Sequence, residues 1–453
     1  MEINKMNRSM ERDMQYLSAK RTSLAAQGTV LDNNYYTPMN STVQLVETTY
    51  SCGRLAMSLT SKGFGSQSQV IIPNSSFIGD TYLVLTLPNI LPNQTLSRGW
   101  GYAILNNISY LFGSSNISQL QINGQSLWHK ISMQCDTEEK RSALFELGGQ
   151  EVLSPITYVD PIDGIVKRDP YAVLTATVLL PFPWSSASGL FSKLPFDSNC
   201  INNPITIQLQ FNQAFAIYGG SAVRPEGFLD AQCLFVTGDL TNKDQSLRRD
   251  LELNPQLSMM YPFIHTQSLT PTTFAGSSYK QAGGPQPPIS IPLTSFINAD
   301  LLAITVCVIR SDLLTPLANG SPSVFCYDNI QNVRLLYNGT VLFNAPYDSF
   351  KAMTMRSNMG AQCYKNSLIK PHSGVGPFDS VPIDSYPLHI DFSRIRSTTF
   401  EGQFQNTFRL GQQVLTLEFN TEGGPDVRYQ MFCTYYYNGV AQCQQGMTSI
   451  YFD

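Results

Sequence analysis

The 453-residue chain carries 29 basic and 33 acidic side chains, a net charge of −4, and 14% of its residues are charged against 42% hydrophobic and 11% aromatic. This length buries a sizeable core and divides into two or more domains; the composition excludes a highly charged disordered chain and a basic protein that coats nucleic acid. Few charges beside 31 glycines and 27 prolines point to an all-β, turn-rich protein, part of whose surface is hidden against copies of itself.

The N-terminal segment stands apart. Met6, Met10, Met14 and Leu17 recur at helical spacing between Arg8, Glu11, Arg12 and Asp13, which predicts a short amphipathic helix or arm over residues 1–37. It is too polar for a signal peptide, so an intracellular, non-secreted site of synthesis is expected. No run of 18 apolar residues exists, so the chain is not expected to span a membrane.

From about residue 40 the period changes from 3.6 to 2. Tyr82–Leu87 is a β-rich run ended by Pro88. Leu120 and Ile122 alternate with polar neighbours. Ile205, Ile207, Leu209 and Phe211 alternate with Thr206, Gln208 and Gln210, the cleanest half-buried strand pattern in the chain. Residues 242–253 break the pattern with mixed charge, and Pro255 follows; a linker helix is expected over 242–257, between a first β-domain at 38–241 and a second at 258–453.

Strand signals then resume. Leu301–Ile309 is a near-continuous apolar run, expected to be buried on both faces. Leu415, Leu417 and Phe419 alternate with Thr416 and Glu418; Val427–Tyr437 is aromatic and β-rich, ending at Asn438-Gly439; Ser449–Phe452 is a candidate final strand. One internal echo stands out. Ser118–Trp128 and Val333–Phe343 each read as strand, Asn-Gly turn (Asn123-Gly124 and Asn338-Gly339), strand, with the turns 215 residues apart. Two equivalent β-domains are the natural reading.

Sequence signals for chemistry are sparse. Nine cysteines, an odd number without a CxxC, read as buried free thiols rather than a disulfide framework or zinc site. The four histidines, His129, His265, His372 and His389, do not cluster in sequence and read as surface or hydrogen-bonded core residues. Phosphate-loop, HExxH and GxSxG motifs are absent; Gly63-Phe64-Gly65 and Gly374-Val375-Gly376 read as turns. Glu138-Glu139 and Asp160–Asp163 are the nearest approach to a glycosidase carboxylate pair, but both, like Val166–Asp169, read as solvated loops. No catalytic residue, metal site or cofactor is expected.

Several segments resemble, in order, landmarks of the double jelly-roll major capsid proteins of double-stranded DNA viruses. Gly101–Tyr110 followed by Ile122–Trp128, with Asn123, Gly124, Gln125 and Trp128, resembles the family's strand, Gly-Gly-Gln-like hairpin and aromatic segment. Leu179–Trp184, containing Pro181, Phe182 and Trp184, resembles its Pro-Leu-Pro-Phe-Trp strand, and Leu194-Pro195 follows as in the family. Arg248–Leu253 sits where the family carries a charged linker helix. Asp391-Phe392-Ser393-Arg394 resembles its Asn-Phe-Ser-Arg motif. The sequence departs from the pattern at Asn123, where the family has Gly, at Pro183, which interrupts the Phe-Trp pair, and at Asp391.

The resemblance implies two tandem eight-stranded jelly-roll sandwiches with a short N-terminal arm. It further implies a non-enzymatic structural protein whose homotrimers form pseudo-hexagonal capsomers tiling an icosahedral shell. Its expected partners are neighbouring capsomers and minor capsid or penton proteins, without direct sequence-specific binding of nucleic acid, and its expected place is the virion. A carbohydrate-binding or glycoside-cleaving β-sandwich protein is the alternative; it calls for a surface cleft lined by aromatic residues and, for cleavage, paired acids.

Overall fold

The computed structural model describes residues 50–73, 77–91, 94–112, 115–116, 122–133, 135, 137–150, 152, 157–159, 162, 164–168, 174–180, 204–220, 223–240, 259–278, 284–293, 300–314, 325, 327–328, 330–345, 387–391, 408–409, 415–444 and 447–452. The predicted arm over 1–37 and linker helix over 242–257 lie outside the described residues.

In the first half the strands are β1 (Tyr50–Ser58), β2 (Gln67–Ile71), β3 (Phe77–Leu87), β4 (Gln94–Leu96), β5 (Leu105–Phe112), β6 (Ser115–Asn116), β7 (Thr157–Val159), β8 (Val166–Arg168), β9 (Leu174–Leu180), β10 (Ile205–Phe211), β11 (Tyr218–Gly220) and β12 (Asp230–Leu240). Among the described residues three α-helices interrupt them: α1 (Trp100–Ala103), α2 (Gly124–Met133) and α3 (Glu138–Leu147). The second half holds β13 (Met259–Ser268), β14 (Thr272–Ala275), β15 (Ile289–Leu293), β16 (Asp300–Arg310), β17 (Ile330–Tyr337), β18 (Thr340–Ala345), β19 (Leu388–Asp391), β20 (Phe408–Arg409), β21 (Leu415–Thr421), β22 (Arg428–Gln444) and β23 (Met447–Phe452).

The first half folds into two four-stranded sheets, ordered β1-β12-β3-β9 and β2-β10-β5-β6. The second half repeats the plan with β13-β22-β16-β19, to which β14, β20 and β23 add, and β15-β21-β17-β18. Ranked within their own half, the strands of these paths follow the same two orders, 1-8-3-6 and 2-7-4-5. All their pairings are antiparallel. Among the described residues no strand of one half pairs with a strand of the other. This is the jelly-roll arrangement, two sheets facing across a sandwich core, occurring twice.

Strand patterning accounts for both cores. In β10, Ile205, Ile207, Leu209 and Phe211 are buried while Gln210 is exposed, as the period-2 reading expects. They join Leu83, Leu85, Val178 and Phe235 in the first core. In the second, Leu415, Leu417 and Phe419 of β21 meet Ile304, Val306 and Val308 of β16 and alternate residues of β22 from Tyr429 to Tyr437. The run at 301–309 is buried on both faces because its odd side is also covered: Cys307 and Ile309 pack with Leu313 and Tyr327 in a separate cluster.

Four expectations are corrected. Asn123-Gly124 does not turn a hairpin: Gly124 opens α2. Glu138-Glu139 is no loop but the first turn of α3, whose N-cap Thr137 accepts from the Lys140 N–H at 3.2 Å. Val166–Arg168 is the strand β8, paired with β7. The strand predicted to end at Asn438-Gly439 continues to Gln444, because β13 and β23 pair with β22 on either side. The Asn338-Gly339 hairpin does form between β17 and β18, with φ of 49° and 81° at its two turn residues, the geometry of a type I′ turn.

Candidate functional site: the seam between the two rolls

The first half's helices meet the second half's larger sheet at a buried seam. α2 packs against β13. Local chemistry starts the helix at Asn123, whose Oδ1 accepts from the Ser126 N–H at 2.8 Å and whose carbonyl accepts from the Leu127 N–H at 2.8 Å. These bonds satisfy helix-end donors that otherwise lack partners. The Asn123 N–H donates to Ser268 Oγ of β13 at 3.0 Å, tying the cap to the second half. Gly124 lies so close to Tyr102 that a Cβ there would overlap the Tyr102 carbonyl oxygen.

Leu127, Trp128 and Ile131, spaced as one helical face, are buried. Trp128 sits 4.8 Å from the Phe145 ring and 5.2 Å from that of Tyr102, and Phe145 meets Phe325 edge-on at 5.2 Å. Such tilted and edge-on pairs suit the aromatic quadrupole. Arg98 covers Phe145 from outside, 5.4 Å from the ring centre, and pairs with Glu146.

Polar groups cross the seam beside this cluster. Ser126 Oγ and Thr434 Oγ1 of β22 are 2.6 Å apart. His129 Nε2 and Tyr327 OH are 2.9 Å apart, with Cys307 Sγ 3.9 Å from either ring nitrogen. Within the second half, His389 Nδ1 pairs with Thr305 Oγ1 at 3.0 Å, and Thr305 donates to Tyr436 OH at 3.3 Å. His129, His265 and His389 are all buried.

Burial disfavours the charged imidazole and holds His129 down to about 4, with His389 adding repulsion. Burial likewise lowers His265 to about 3, with Lys130 adding to it, and lowers Lys130 itself to about 8. At neutral pH both histidines are therefore uncharged hydrogen-bonding groups.

The arrangement is built for packing. The thiols of Cys233 and Cys433 are pushed up to about 12 by burial, far from the thiolate that nucleophilic chemistry uses. Cys135, Cys233, Cys307 and Cys433 are buried and outside any disulfide, as the cysteine spacing implied for them. Among the described residues no three His, Cys, Asp or Glu side chains gather as metal ligands, and no helix is long and apolar enough to cross a membrane.

Of the residues singled out in the sequence, Asn123, Gly124, Gln125 and Trp128 come together at the start of α2, in the seam. Asn338 and Gly339 lie apart from them, at an exposed turn. Pro181, Phe182, Trp184, Leu194, Pro195, Phe392, Ser393 and Arg394 lie outside the described residues, as does His372. Sequence reasoning missed Tyr102, Phe145 and Phe325 as the partners of Trp128. The i, i+1, i+4 spacing of Leu127, Trp128 and Ile131 was the available sign that this segment is a helix rather than a strand.

No family model matches the sequence, and no curated protein matches it. Solved structures match by shape. A chain of the PBCV-1 virus capsid superposes with a TM-score of 0.59 at 13% identity, over 91% of this chain and 100% of that one. The mavirus major capsid protein gives 0.55 at 11% identity, over 94% and 95%. The Faustovirus major capsid protein gives 0.52 at 10%, over 98% of both. The duplicated sheet order and this likeness along nearly the whole chain agree: the protein has the double jelly-roll fold of these viral major capsid proteins.

Proposed function

We propose that this chain is the major capsid protein of an icosahedral double-stranded DNA virus and acts as a structural subunit without catalysis. The observation that carries the reading is the repeated sheet order, two like sandwiches in one chain. Three copies around a three-fold axis present six similar lobes, a pseudo-hexagonal tile made from one gene product. A head-to-tail contact closes into such a ring when its rotation is one third of a turn. Large apolar side chains left in water, Ile162, Ile165, Val223 and Leu229, support a surface that assembly covers, as does the low charge fraction.

In this reading residues 38–241 and 258–453 are the two rolls, joined by the charged segment 242–257. The Leu179–Trp184, Leu194-Pro195 and Phe392–Arg394 segments serve the rolls as structural motifs. The partners are two further copies in the capsomer, neighbouring capsomers, and minor capsid or penton proteins, all within the virion shell. Light scattering coupled to size-exclusion chromatography tests the reading: the expected particle has three times the chain mass, and a stable monomer at micromolar concentration refutes it. Residues 1–28 are assigned to contacts between capsomers. Their deletion is expected to leave the trimer intact and to reduce the yield of closed shells in electron micrographs; normal shells would remove that assignment.

A further inference from the structure

A cleft of about 530 Å³ opens between the two halves, beside the start of α2. That volume falls within the range of pockets that hold small ligands. Its first-half wall carries Asn106 and Asn107 from β5, Gln210 from the end of β10, and Asn212 just beyond; Gln430 of β22 faces them from the second half. Asn107 and Gln210 are direct cross-strand partners, so their amides leave the same sheet face about 5 Å apart. The Asn212 side-chain amide donates to the Ala103 carbonyl at 2.9 Å, which fixes its rotamer and leaves Oδ1 as an acceptor. Phe215, 48% exposed, and Phe432 line the same space.

The chemistry of this lining is selective. Among the described residues that line it none carries a charge, and the one ionisable group among them, the Tyr102 phenol, is held protonated by burial. These residues offer a phosphate or carboxylate ligand no Lys or Arg to pair with, and a divalent cation no carboxylate. Carboxamides instead offer a donor and an acceptor side by side, the match for neighbouring hydroxyls on a sugar ring. The exposed Phe215 ring suits the apolar C–H face of such a ring. An extended peptide is the other neutral occupant, but it is gripped through free strand edges. Here β10 is paired on both sides by β2 and β5, and β22 on both sides by β16 and its β13–β14 neighbours.

We propose that the cleft between the rolls is a binding site for a neutral oligosaccharide. Asn107, Gln210, Asn212 and Gln430 hydrogen-bond its hydroxyls, and Phe215 stacks on a sugar face. Saturation-transfer NMR and titration calorimetry on the full chain test this, with maltose, cellobiose and lactose as probes and sialyllactose and a glycine–serine peptide as competitors. At least one neutral disaccharide is expected to bind. Gln210→Ala and Phe215→Ala should each weaken it about fivefold to tenfold, the loss of one contact of ordinary strength. Both side chains are exposed, so their thermal midpoints should stay at the wild-type value, which separates lost binding from lost folding. The proposal is overturned if none of the three disaccharides binds, if binding ignores both substitutions, or if sialyllactose or the peptide binds as well as they do.

Discussion

Two glycines that follow asparagine show how one dipeptide serves two structures. At Gly339 the backbone is left-handed, φ 81°, and a Cβ would meet nothing within 4 Å; the need is conformational. At Gly124 the backbone carries no such strain, and the need is for space against the Tyr102 carbonyl. Gly339→Ala should therefore cost about 1 kcal/mol from backbone strain alone, whereas Gly124→Ala forces α2 off its bed and should cost about 3 kcal/mol. Urea titrations of the two variants check the ranking, and equal losses would contradict it. The sequence reads both pairs alike because Asn-Gly favours a hairpin turn whenever strands flank it. What distinguishes Gly124 is the helical spacing that follows it and a contact with Tyr102, twenty-two residues away in the chain.

Among elements, α2 and β22 meet at the seam through a hydrogen bond. β22 runs for 17 residues and serves two cores at once. Tyr429, Met431, Cys433, Tyr435 and Tyr437 fill the second sandwich, while Thr434 and Tyr436 on its other side are buried, Thr434 bonded across the seam to Ser126 and Tyr436 to Thr305 of the neighbouring β16. The Ser126–Thr434 hydrogen bond couples the two elements directly. Removing either hydroxyl leaves the other buried and unsatisfied, so Ser126→Ala and Thr434→Val should each cost about 1–2 kcal/mol. The double variant should lose less than both single losses together, with a coupling of about 1 kcal/mol. A double-mutant cycle by chemical denaturation measures it, and strict additivity would mean the contact carries no coupling. Here the sequence was partly legible. The unbroken apolar run at 301–309 announced a strand covered on both faces, without revealing that Tyr327 and, beyond it, His129 lie on the second face.

For the whole molecule, the seam makes stability depend on pH. His129 and His265 titrate near 4 and 3 when folded and near 6.5 when unfolded. The unfolded chain therefore binds protons first as pH falls, and stability present above pH 6.5 is lost on the way down towards 4 and 3. At pH 4.5 each histidine removes about 2.5 kcal/mol. Asp328 works the other way: burial raises its carboxyl to about 6 against an ordinary 3.8, so protonation relieves a buried charge and returns about 2 kcal/mol by pH 4.5. A net loss of about 3 kcal/mol between pH 6.5 and 4.5 is expected. Urea midpoints across that range measure it, His129→Gln should flatten part of the fall, and a constant midpoint would contradict the assignment.

What the sequence by itself determined was the class and plan of the molecule: all-β, duplicated, with buried thiols at Cys135, Cys233, Cys307 and Cys433, and strands such as β10 with their buried and exposed faces assigned. Period-2 patterning is local, and a strand with one face in water displays it without knowledge of its partners. The tertiary structure decided the rest. Only pairing makes the sheet order repeat in both halves, since partners such as β1 and β12 lie some 180 residues apart. Only packing turns Asn123-Gly124 into a helix start, gathers Trp128 with Phe145 and Phe325, and buries three scattered histidines. Those outcomes depend on which surfaces meet after each sandwich has closed, and a sequence pattern records burial without naming what covers it.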